Sequence, residues 1–287
     1  MKKKMLIIGL AAVMVFALAA CGKSGGTESE NTANNAETVT VNVFAAASLG
    51  NVMAEFEKSF EEANPGVDII VNADSSGTLQ TQIREGAPCD VFFSAAQKQM
   101  DELEEEGMVL KGTRTNVVNN QLAVICPVNQ ATKVEGLSTI SNASSIALAD
   151  GSVPVGKYTR AALINLGLLQ PADDPAAITT AEVSEQLGGV EISEQGNVSK
   201  VLTAVEEGAC EVGTTYVSDT VGHENSVRII ETVSNEVSGD IIYPVAGIVN
   251  KDASDAETSA AADFIAFITN DDAKALYQKY GFDTNVE

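Results

Sequence analysis

Apolar residues follow two different periodicities along the chain from Val39 onward, and the two periodicities alternate. Short apolar runs such as VTVNVFAA and VDIIVNA are each followed by a segment with apolar residues about four positions apart, such as Val52, Phe56 and Phe60. The first pattern is typical of β-strands, and the second is typical of amphipathic helices. Their alternation predicts βαβ units and a parallel sheet that is covered on both faces.

A second series of such units begins at SSIALAD. It includes the helical segments KYTRAALINLG and NVSKVLTAVEEG and the strand-like segments CEVGTTY and SVRIIETV, before the strand YPVAGIVN and two closing helices. Because the late elements can return to the first series, we predict two α/β lobes joined by two crossings, near residues 124–127 and 243–247. Lobe 1 then comprises residues 39–125 and 245–287, lobe 2 comprises 126–244, and a ligand is expected in the cleft between them.

The N-terminal residues predict where the protein acts. Three lysines precede an apolar run that ends in LAAC, which is the pattern of a signal peptide over residues 1–20, too short to be a comfortable membrane span. A cysteine at the cleavage point resembles a bacterial lipobox, so we expect Cys21 to be acylated; the alternative is an ordinary signal peptide with a chance cysteine. Residues 21–38 then form the lipid-bearing cysteine and a flexible tether. The protein is expected outside the cytoplasm, anchored to the outer face of the cell membrane.

The net charge of the chain limits the kinds of partner that we expect. The chain has 17 Lys and Arg against 40 Asp and Glu, a net charge of −23, and removing the three lysines of the signal peptide leaves −26. Such an acidic chain argues against nucleic acid as a partner, and we expect a monomer.

Cys89, Cys126 and Cys210 lie in apolar segments. We predict buried small residues there, with a disulfide as the alternative.

Four turns between a strand and a helix carry small or apolar residues. They place Ser48 in FAAASL, Ser76 in DSSGTL, Val155 in SVPVGK and Val198 in QGNVSK. The N–H groups at a helix start have no partner within the helix and lie at the positive end of its dipole. Several such starts that converge on one cleft would bind an anion without a formal positive charge. Taken singly, each serine is more often a plain N-cap, and here Ser48 is placed at the N-cap position of its helix.

Tyr216 is a fifth candidate, because it ends the apolar strand CEVGTTY and its hydroxyl could donate into the same cleft. The alternative is a partly buried tyrosine whose hydroxyl binds a nearby carbonyl.

An enzyme is not expected, since the single histidine, His223, lies in a polar loop, the G-x-S-x-G motif is absent and Lys157 is expected to be solvated. The sequence also lacks a cluster of metal-ligand residues. The absence of tryptophan argues against sugar or polyamine ligands.

Six segments resemble, in order and spacing, the molybdate-binding proteins of ABC-type molybdate importers. They are VTVNVFAAASL, SSGTLQTQIREGAPCDVFFSAAQKQMDEL, SVPVGKY, GTTYVSD, YPVAGIV and YQKYGF, within residues 39–282. The resemblance implies a type II periplasmic-binding-protein fold, with two α/β lobes that close on a tetrahedral dianion. It also implies that molybdate, and tungstate with it, is delivered to the permease subunits of an ABC transporter.

The resemblance further implies a set of ligand contacts. The serines are Ser48 and Ser76, the backbone donors of the second lobe are Val155 and Val198, and the tyrosine is Tyr216. All of these contacts go to the oxygens of molybdate, with no direct coordination of the metal atom, and no cofactor is expected. The alternative is a binding protein for sulfate or another tetrahedral oxyanion, because a fold does not fix its ligand.

Overall fold

The computed structural model describes residues 38–286, so the signal peptide, Cys21 and the tether up to residue 37 lie outside the described residues. Within the described range the chain forms ten strands and nine α-helices. The strands are β1 Val39–Ala46, β2 Val67–Asp74, β3 Val91–Phe93, β4 Thr115–Asn120, β5 Leu122–Pro127, β6 Ser145–Ala149, β7 Glu191–Gln195, β8 Val212–Tyr216, β9 Val227–Thr232 and β10 Ile241–Gly247. The helices are α1 Gly50–Ala63, α2 Ser76–Arg84, α3 Gln97–Glu105, α4 Pro154–Asn165, α5 Thr180–Gln186, α6 Val198–Glu206, α7 Asn235–Ser238, α8 Asp255–Thr269 and α9 Ala273–Lys279.

The first sheet has the strand order β2-β1-β3-β10-β4. Strand β1 pairs in parallel with β2 and β3, which confirms the prediction made from the βαβ pattern. Strand β10 runs antiparallel to both β3 and β4, so the prediction of a purely parallel sheet is wrong there. The reason is that β10 enters from the second sheet and not through a helical crossover, which is what parallel neighbours require.

The second sheet has the order β7-β6-β8-β5-β9, with β6 parallel to β7 and β8, and β5 antiparallel to β8 and β9. The chain passes from the first sheet to the second at Gln121, between β4 and β5, and it returns between β9 and β10. The two-lobed α/β architecture is confirmed. We call the part built on the first sheet lobe 1 and the part built on the second sheet lobe 2. With these definitions residues 122–125 belong to lobe 2 and residues 241–244 belong to lobe 1, a few residues away from the bounds expected from the sequence.

Helix α1 shows how the apolar periodicity fixes these elements. Val52, Phe56 and Phe60 are buried, as their spacing predicts. The ring of Phe60 meets that of Phe264 in α8 edge to face, with 5.1 Å between the ring centroids. Burial of one such side chain stabilises the fold by about 1.5–3 kcal/mol, so this face holds α1 on lobe 1 and fixes where the turn before it lies.

The three cysteines of the described range are buried and unpaired, which confirms the prediction for Cys89, Cys126 and Cys210. Burial raises the pKa of each thiol above its usual value, as expected for a group that would have to ionise in an apolar environment. Within residues 38–286, the helices are all too short or too polar to span a membrane.

Candidate functional site

All five predicted site residues line one small cavity between the lobes, which we call the interlobe cavity. Its lining consists of Ala46, Ala47, Ser48, Ser75, Ser76, Ala95, Val153, Pro154, Val155, Val198 and Tyr216. The cavity has a volume of about 10 Å³, which corresponds to roughly one water-sized sphere. The cavity of this structure is therefore very small.

The cavity lies where strand ends and helix starts of both lobes meet. Lobe 1 contributes the end of β1 with the 3-10 turn Ala47–Leu49 and the start of α2. Lobe 2 contributes the starts of α4 and α6 and the end of β8. Ligands of open α/β sheets lie in this kind of position, outside the carboxyl ends of the strands.

The two lobes are in contact around the cavity. The Asn197 side chain of lobe 2 donates from Nδ2 to Oδ1 of Asp74 in lobe 1, at 2.9 Å. Gly77 at the start of α2 packs so tightly on lobe 2 that a Cβ atom there would lie 2.8 Å from the carbonyl oxygen of Ser152. The structure is therefore the closed form of the two lobes, and glycine is the residue that permits this approach.

Ser48 lines the cavity but is not a helix N-cap, so that prediction is wrong. It lies in the turn Ala47–Leu49, and α1 begins after it at Gly50 without any side-chain cap. Its Oγ lies 2.8 Å from the hydroxyl oxygen of Tyr243, and the side chain is buried. The hydroxyl is therefore engaged away from α1, in the region between the cavity and the core of lobe 1.

Ser76 is also free of a capping role, because Ser75 caps α2. The Oγ atom of Ser75 accepts the N–H of Thr78 at 3.1 Å, and Ser76 is the first residue of the helix. The Oγ atom of Ser76 accepts the N–H of Ala95 at 2.9 Å, and the residue is fully buried. Since this oxygen already accepts, its own proton is available to a group in the cavity. The sequence analysis missed Ser75, although serine is a preferred N-cap residue and DSSGTL offers two candidates in succession.

The starts of α4 and α6 supply backbone donors. Pro154 occupies the first turn of α4 and carries no N–H, so Val155 bears the first amide proton of that helix. In α6, the side chain of Asn197 accepts the N–H of Lys200 at 3.0 Å, which leaves the amide of Val198 without an intrahelical partner. The side chains of Val155 and Val198 are buried and give the cavity an apolar wall.

Tyr216 ends β8 and is 1 % exposed. Its hydroxyl oxygen has no hydrogen-bond partner within residues 38–286, so the alternative interpretation, a hydroxyl bound to a nearby carbonyl, is wrong. Burial raises the pKa of Tyr216 well above its usual value, so the hydroxyl keeps its proton. An unsatisfied buried hydroxyl costs about 1–3 kcal/mol, which an acceptor in the interlobe cavity would offset.

The lining of the interlobe cavity carries no charged side chain. Asp74 and Asp150 lie close by in sequence, but neither is part of the lining. Oδ1 of Asp74 accepts the N–H of Ser75 at 2.7 Å, and Oδ1 of Asp150 accepts the N–H of Ser152 at 2.9 Å. The polar groups that face the cavity are therefore neutral hydroxyls and amides.

The possible catalytic bases lie elsewhere. Lys157 Nζ is 3.7 Å from Oδ1 of Asp174, and His223 Nδ1 is 2.6 Å from Oε1 of Glu206. Neither lysine nor histidine lines the cavity, and the partner of Ser48 is a tyrosine hydroxyl. Residues 38–286 contain no group of three or more His, Cys, Asp or Glu side chains that could hold a metal ion.

Arg160 supports the site and was missed by the sequence analysis. It is fully buried in α4, and its guanidinium donates to the carbonyl oxygens of Ala149 at 2.8 Å, Gly156 at 2.9 Å and Ile178 at 2.8 Å. These bonds tie the end of β6 to the first turn of α4 and so position the amide of Val155. The available signal was an arginine within the apolar segment KYTRAALINLG.

Fold and site together define a class: a two-lobed solute-binding protein of type II periplasmic-binding-protein architecture, with the ligand site between the lobes. The chain belongs to the bacterial extracellular solute-binding protein family, whose model matches residues 41–283. That family binds solutes outside the cytoplasm as a non-enzymatic component of transport.

Three similar proteins are informative. The chain is 30% identical over 276 residues to the "Putative ABC transporter substrate-binding lipoprotein YvgL" of Bacillus subtilis, covering 96% of each chain. It is 30% identical over 247 residues to the molybdate-binding protein ModA of Escherichia coli, covering 84% of this chain and 88% of that protein. The solved "substrate binding domain of putative molybdenum ABC transporter from Clostridium difficile" is 31% identical, with a TM-score of 0.61, covering 87% of this chain and 100% of that one.

Proposed function

We propose that this protein captures molybdate, and tungstate with it, in the interlobe cavity and delivers it to the permease subunits of an ABC transporter. One observation carries the proposal: the cavity is small, buried and lined by neutral hydrogen-bond donors, with no charged side chain. A tetrahedral dianion that carries no proton presents only acceptor oxygens, and it therefore matches a lining of donors. The similarity to molybdate-binding proteins supports molybdate as the particular ion.

Neutral donors are sufficient to hold a dianion. A hydrogen bond to a charged group contributes about 1.5–3 kcal/mol, and the cavity offers the hydroxyls of Ser48, Ser76 and Tyr216 together with the first amides of α2, α4 and α6. The acidic surface repels the ion only weakly, because salt screens exposed charges beyond about 10 Å. The free energy of several such bonds can therefore exceed the cost of desolvating the ion together with the long-range repulsion.

The same lining discriminates among tetrahedral ions. Phosphate keeps at least one proton near pH 7 and needs an acceptor in the closed site, whereas Asp74 and Asp150 lie outside the lining. A buried proton donor without an acceptor costs about 1–3 kcal/mol, so phosphate should bind about 5- to 150-fold more weakly. Sulfate carries no proton near pH 7 and accepts from the same donors, so only its smaller size disfavours it. The helix starts lie on two rigid lobes and cannot all move close enough to a smaller ion to keep their hydrogen bonds.

Calorimetric titration of the full chain in mild detergent with molybdate, tungstate, sulfate and phosphate tests the proposal. We expect molybdate and tungstate to bind tightest and phosphate weakest. The Ser48→Ala variant should bind molybdate about tenfold or more weakly, whereas Ser184→Ala, which removes a hydroxyl bonded to the carbonyl of Val190 in lobe 2, should bind it normally. Sulfate binding equal to molybdate binding would move the protein to the alternative class, and the absence of any oxyanion binding would refute the proposed function.

The membrane anchor is part of the same proposal. It is supported by the LAAC segment and the following stretch without large apolar residues, and by the similarity to a protein named a lipoprotein. The Cys21→Ser variant should lose its lipid label and leave the membrane fraction. Membrane retention of that variant would show that the anchor is formed in another way.

A further inference from the structure

Two buried side chains, those of Tyr243 and Asn120, lie behind Ser48 and form a chain of hydrogen bonds with it. The Oγ atom of Ser48 is 2.8 Å from the hydroxyl oxygen of Tyr243, and Nδ2 of Asn120 is 3.2 Å from the same tyrosine oxygen. All three residues belong to lobe 1 and are buried, with Tyr243 and Asn120 at most 1 % exposed. Only Ser48 reaches the interlobe cavity.

The direction of these hydrogen bonds is determined by one backbone amide. The N–H of Gln121 lies 2.9 Å from Oδ1 of Asn120, and because a backbone N–H can only donate, this atom is the carbonyl oxygen of the side-chain amide. The NH₂ group of Asn120 therefore faces Tyr243 and, at 2.8 Å, the hydroxyl of Ser218. An amide nitrogen only donates, so the oxygen of Tyr243 accepts from Asn120.

The direction of the hydrogen bond between Tyr243 and Ser48 follows from this. Among the described residues the Tyr243 hydroxyl has hydrogen-bond partners only in Asn120, which donates to it, and in Oγ of Ser48. A buried hydroxyl proton needs an acceptor, so Tyr243 donates its proton to Oγ of Ser48. Burial raises the pKa of Tyr243 well above its usual value, so that proton stays in place. The oxygen of Ser48 accepts from Tyr243, and the proton of Ser48 is left to donate into the cavity.

We propose that Asn120, acting through Tyr243, holds Ser48 as a hydrogen-bond donor and so makes the site selective for oxyanions that carry no proton. The inference rests on the proposed function, because it concerns the same cavity. Ser76 has a parallel arrangement, since its Oγ accepts the N–H of Ala95 at 2.9 Å. Both serines thus accept from the protein interior and donate toward the ligand.

The consequence is a test of direction. In the Asn120→Asp variant the carboxylate can still accept from Gln121, but its second oxygen accepts the proton of Tyr243. Tyr243 must then accept from Ser48, and Ser48 presents lone pairs to the cavity. Molybdate would meet lone pairs there, whereas a protonated phosphate could donate to Ser48. We expect molybdate affinity to fall about tenfold or more and the ratio of molybdate to phosphate affinity to fall by at least that factor.

The added negative charge of Asn120→Asp is controlled by the Tyr243→Phe background, in which the chain of hydrogen bonds is cut. Both backgrounds contain the same charge change, so the difference between them reports the relay. We expect Asn120→Asp to change the molybdate-to-phosphate ratio less than about twofold in the Tyr243→Phe protein. Calorimetry of the full chain with molybdate and inorganic phosphate at one pH gives all the constants.

The outcomes separate the two proposals. If wild type binds molybdate and Asn120→Asp has the same effect in both backgrounds, the relay is wrong and the proposed function stands. If Asn120→Asp does not fold, Tyr243→Phe decides alone: it frees Ser48 to accept, so an unchanged molybdate-to-phosphate ratio would overturn the inference. If wild type binds no oxyanion, both proposals fail together.

Discussion

Replacement of Tyr216 by phenylalanine separates ligand binding from folding. The hydroxyl of this residue is buried in the interlobe cavity and has no hydrogen-bond partner within residues 38–286. Its removal therefore breaks no bond within the protein, and the aromatic ring, which packs edge to face on Tyr243 with 6.1 Å between the ring centroids, remains in place. What the variant loses is a donor to the ligand.

The expected effects on affinity and on stability consequently have different signs. A lost hydrogen bond to a dianion costs about 1.5–3 kcal/mol, which corresponds to roughly 10- to 150-fold weaker molybdate binding. The midpoint of thermal unfolding without ligand should be unchanged or raised, since an unsatisfied buried hydroxyl has been removed. A gain of 1 kcal/mol would raise it by about 2–4 °C in a protein of this size.

Calorimetry with molybdate and thermal unfolding without it measure the two quantities. Tyr277→Phe is the matched control, because Tyr277 is equally buried but donates to the carbonyl oxygen of Ile268 at 3.0 Å, away from the cavity. We expect that control to lower the unfolding midpoint and leave molybdate affinity unchanged. Wild-type affinity in Tyr216→Phe would refute the assignment of its hydroxyl as a ligand donor.

Three further predictions follow from the site and its surroundings. Ser76→Ala should weaken molybdate binding about tenfold or more while Lys157→Gln leaves it within about twofold, as measured by calorimetry; the reverse result would mean that binding depends on a cation. Gly77→Ala should weaken molybdate binding, because its Cβ would lie 2.8 Å from a backbone oxygen of lobe 2 in the closed form, and unchanged affinity would show that closure does not need the close approach at Gly77. Thermal unfolding of this variant without ligand should occur at the same or a higher temperature, since alanine favours the helix. Burial raises the pKa of Asp219 to about 6 from 3.8, so between these pH values the folded state keeps a proton that the unfolded chain has lost, and the stability that the protonated carboxyl provides is lost as pH rises through them. The unfolding free energy of Asp219→Asn relative to wild type should therefore increase by roughly 2–3 kcal/mol between pH 4 and 7.5, and a difference independent of pH would contradict this.

The fold was predictable where neighbouring elements in sequence are also neighbours in space. The periodicity of α1 and the alternation of strands and helices depend on local patterns, and the structure confirms both. Strand β7 was not predicted, because its sequence EISEQ is polar and it lies at an edge of the second sheet, where none of its five residues is buried. The antiparallel direction of β10 depends on a return from the other lobe, which no local pattern encodes.

The site, like the fold, was predictable only where local sequence determines it. The helix starts at Val155 and Val198 were recognisable from local signals, and the structure brings them to one cavity with both serines and Tyr216. The partners that orient Ser48 were not recognisable. Tyr243 is 195 positions away from Ser48, and Asn120 is 123 positions away from Tyr243. Hydrogen-bond direction depends on such long-range pairs, so it becomes visible only in the folded protein.

The distribution of donors between the lobes links binding to closure. Ser48 and Ser76 belong to lobe 1, whereas Val155, Val198 and Tyr216 belong to lobe 2. Under the proposed function an open protein contacts the ion with the donors of one lobe only, and the loss of even two or three charge-assisted hydrogen bonds costs roughly 4 kcal/mol or more, about a thousandfold in affinity. A cationic side chain would attract a dianion across an open cleft, but a neutral donor acts only at contact distance. Neutral donors therefore make retention depend on closure, and separation of the lobes is sufficient for release.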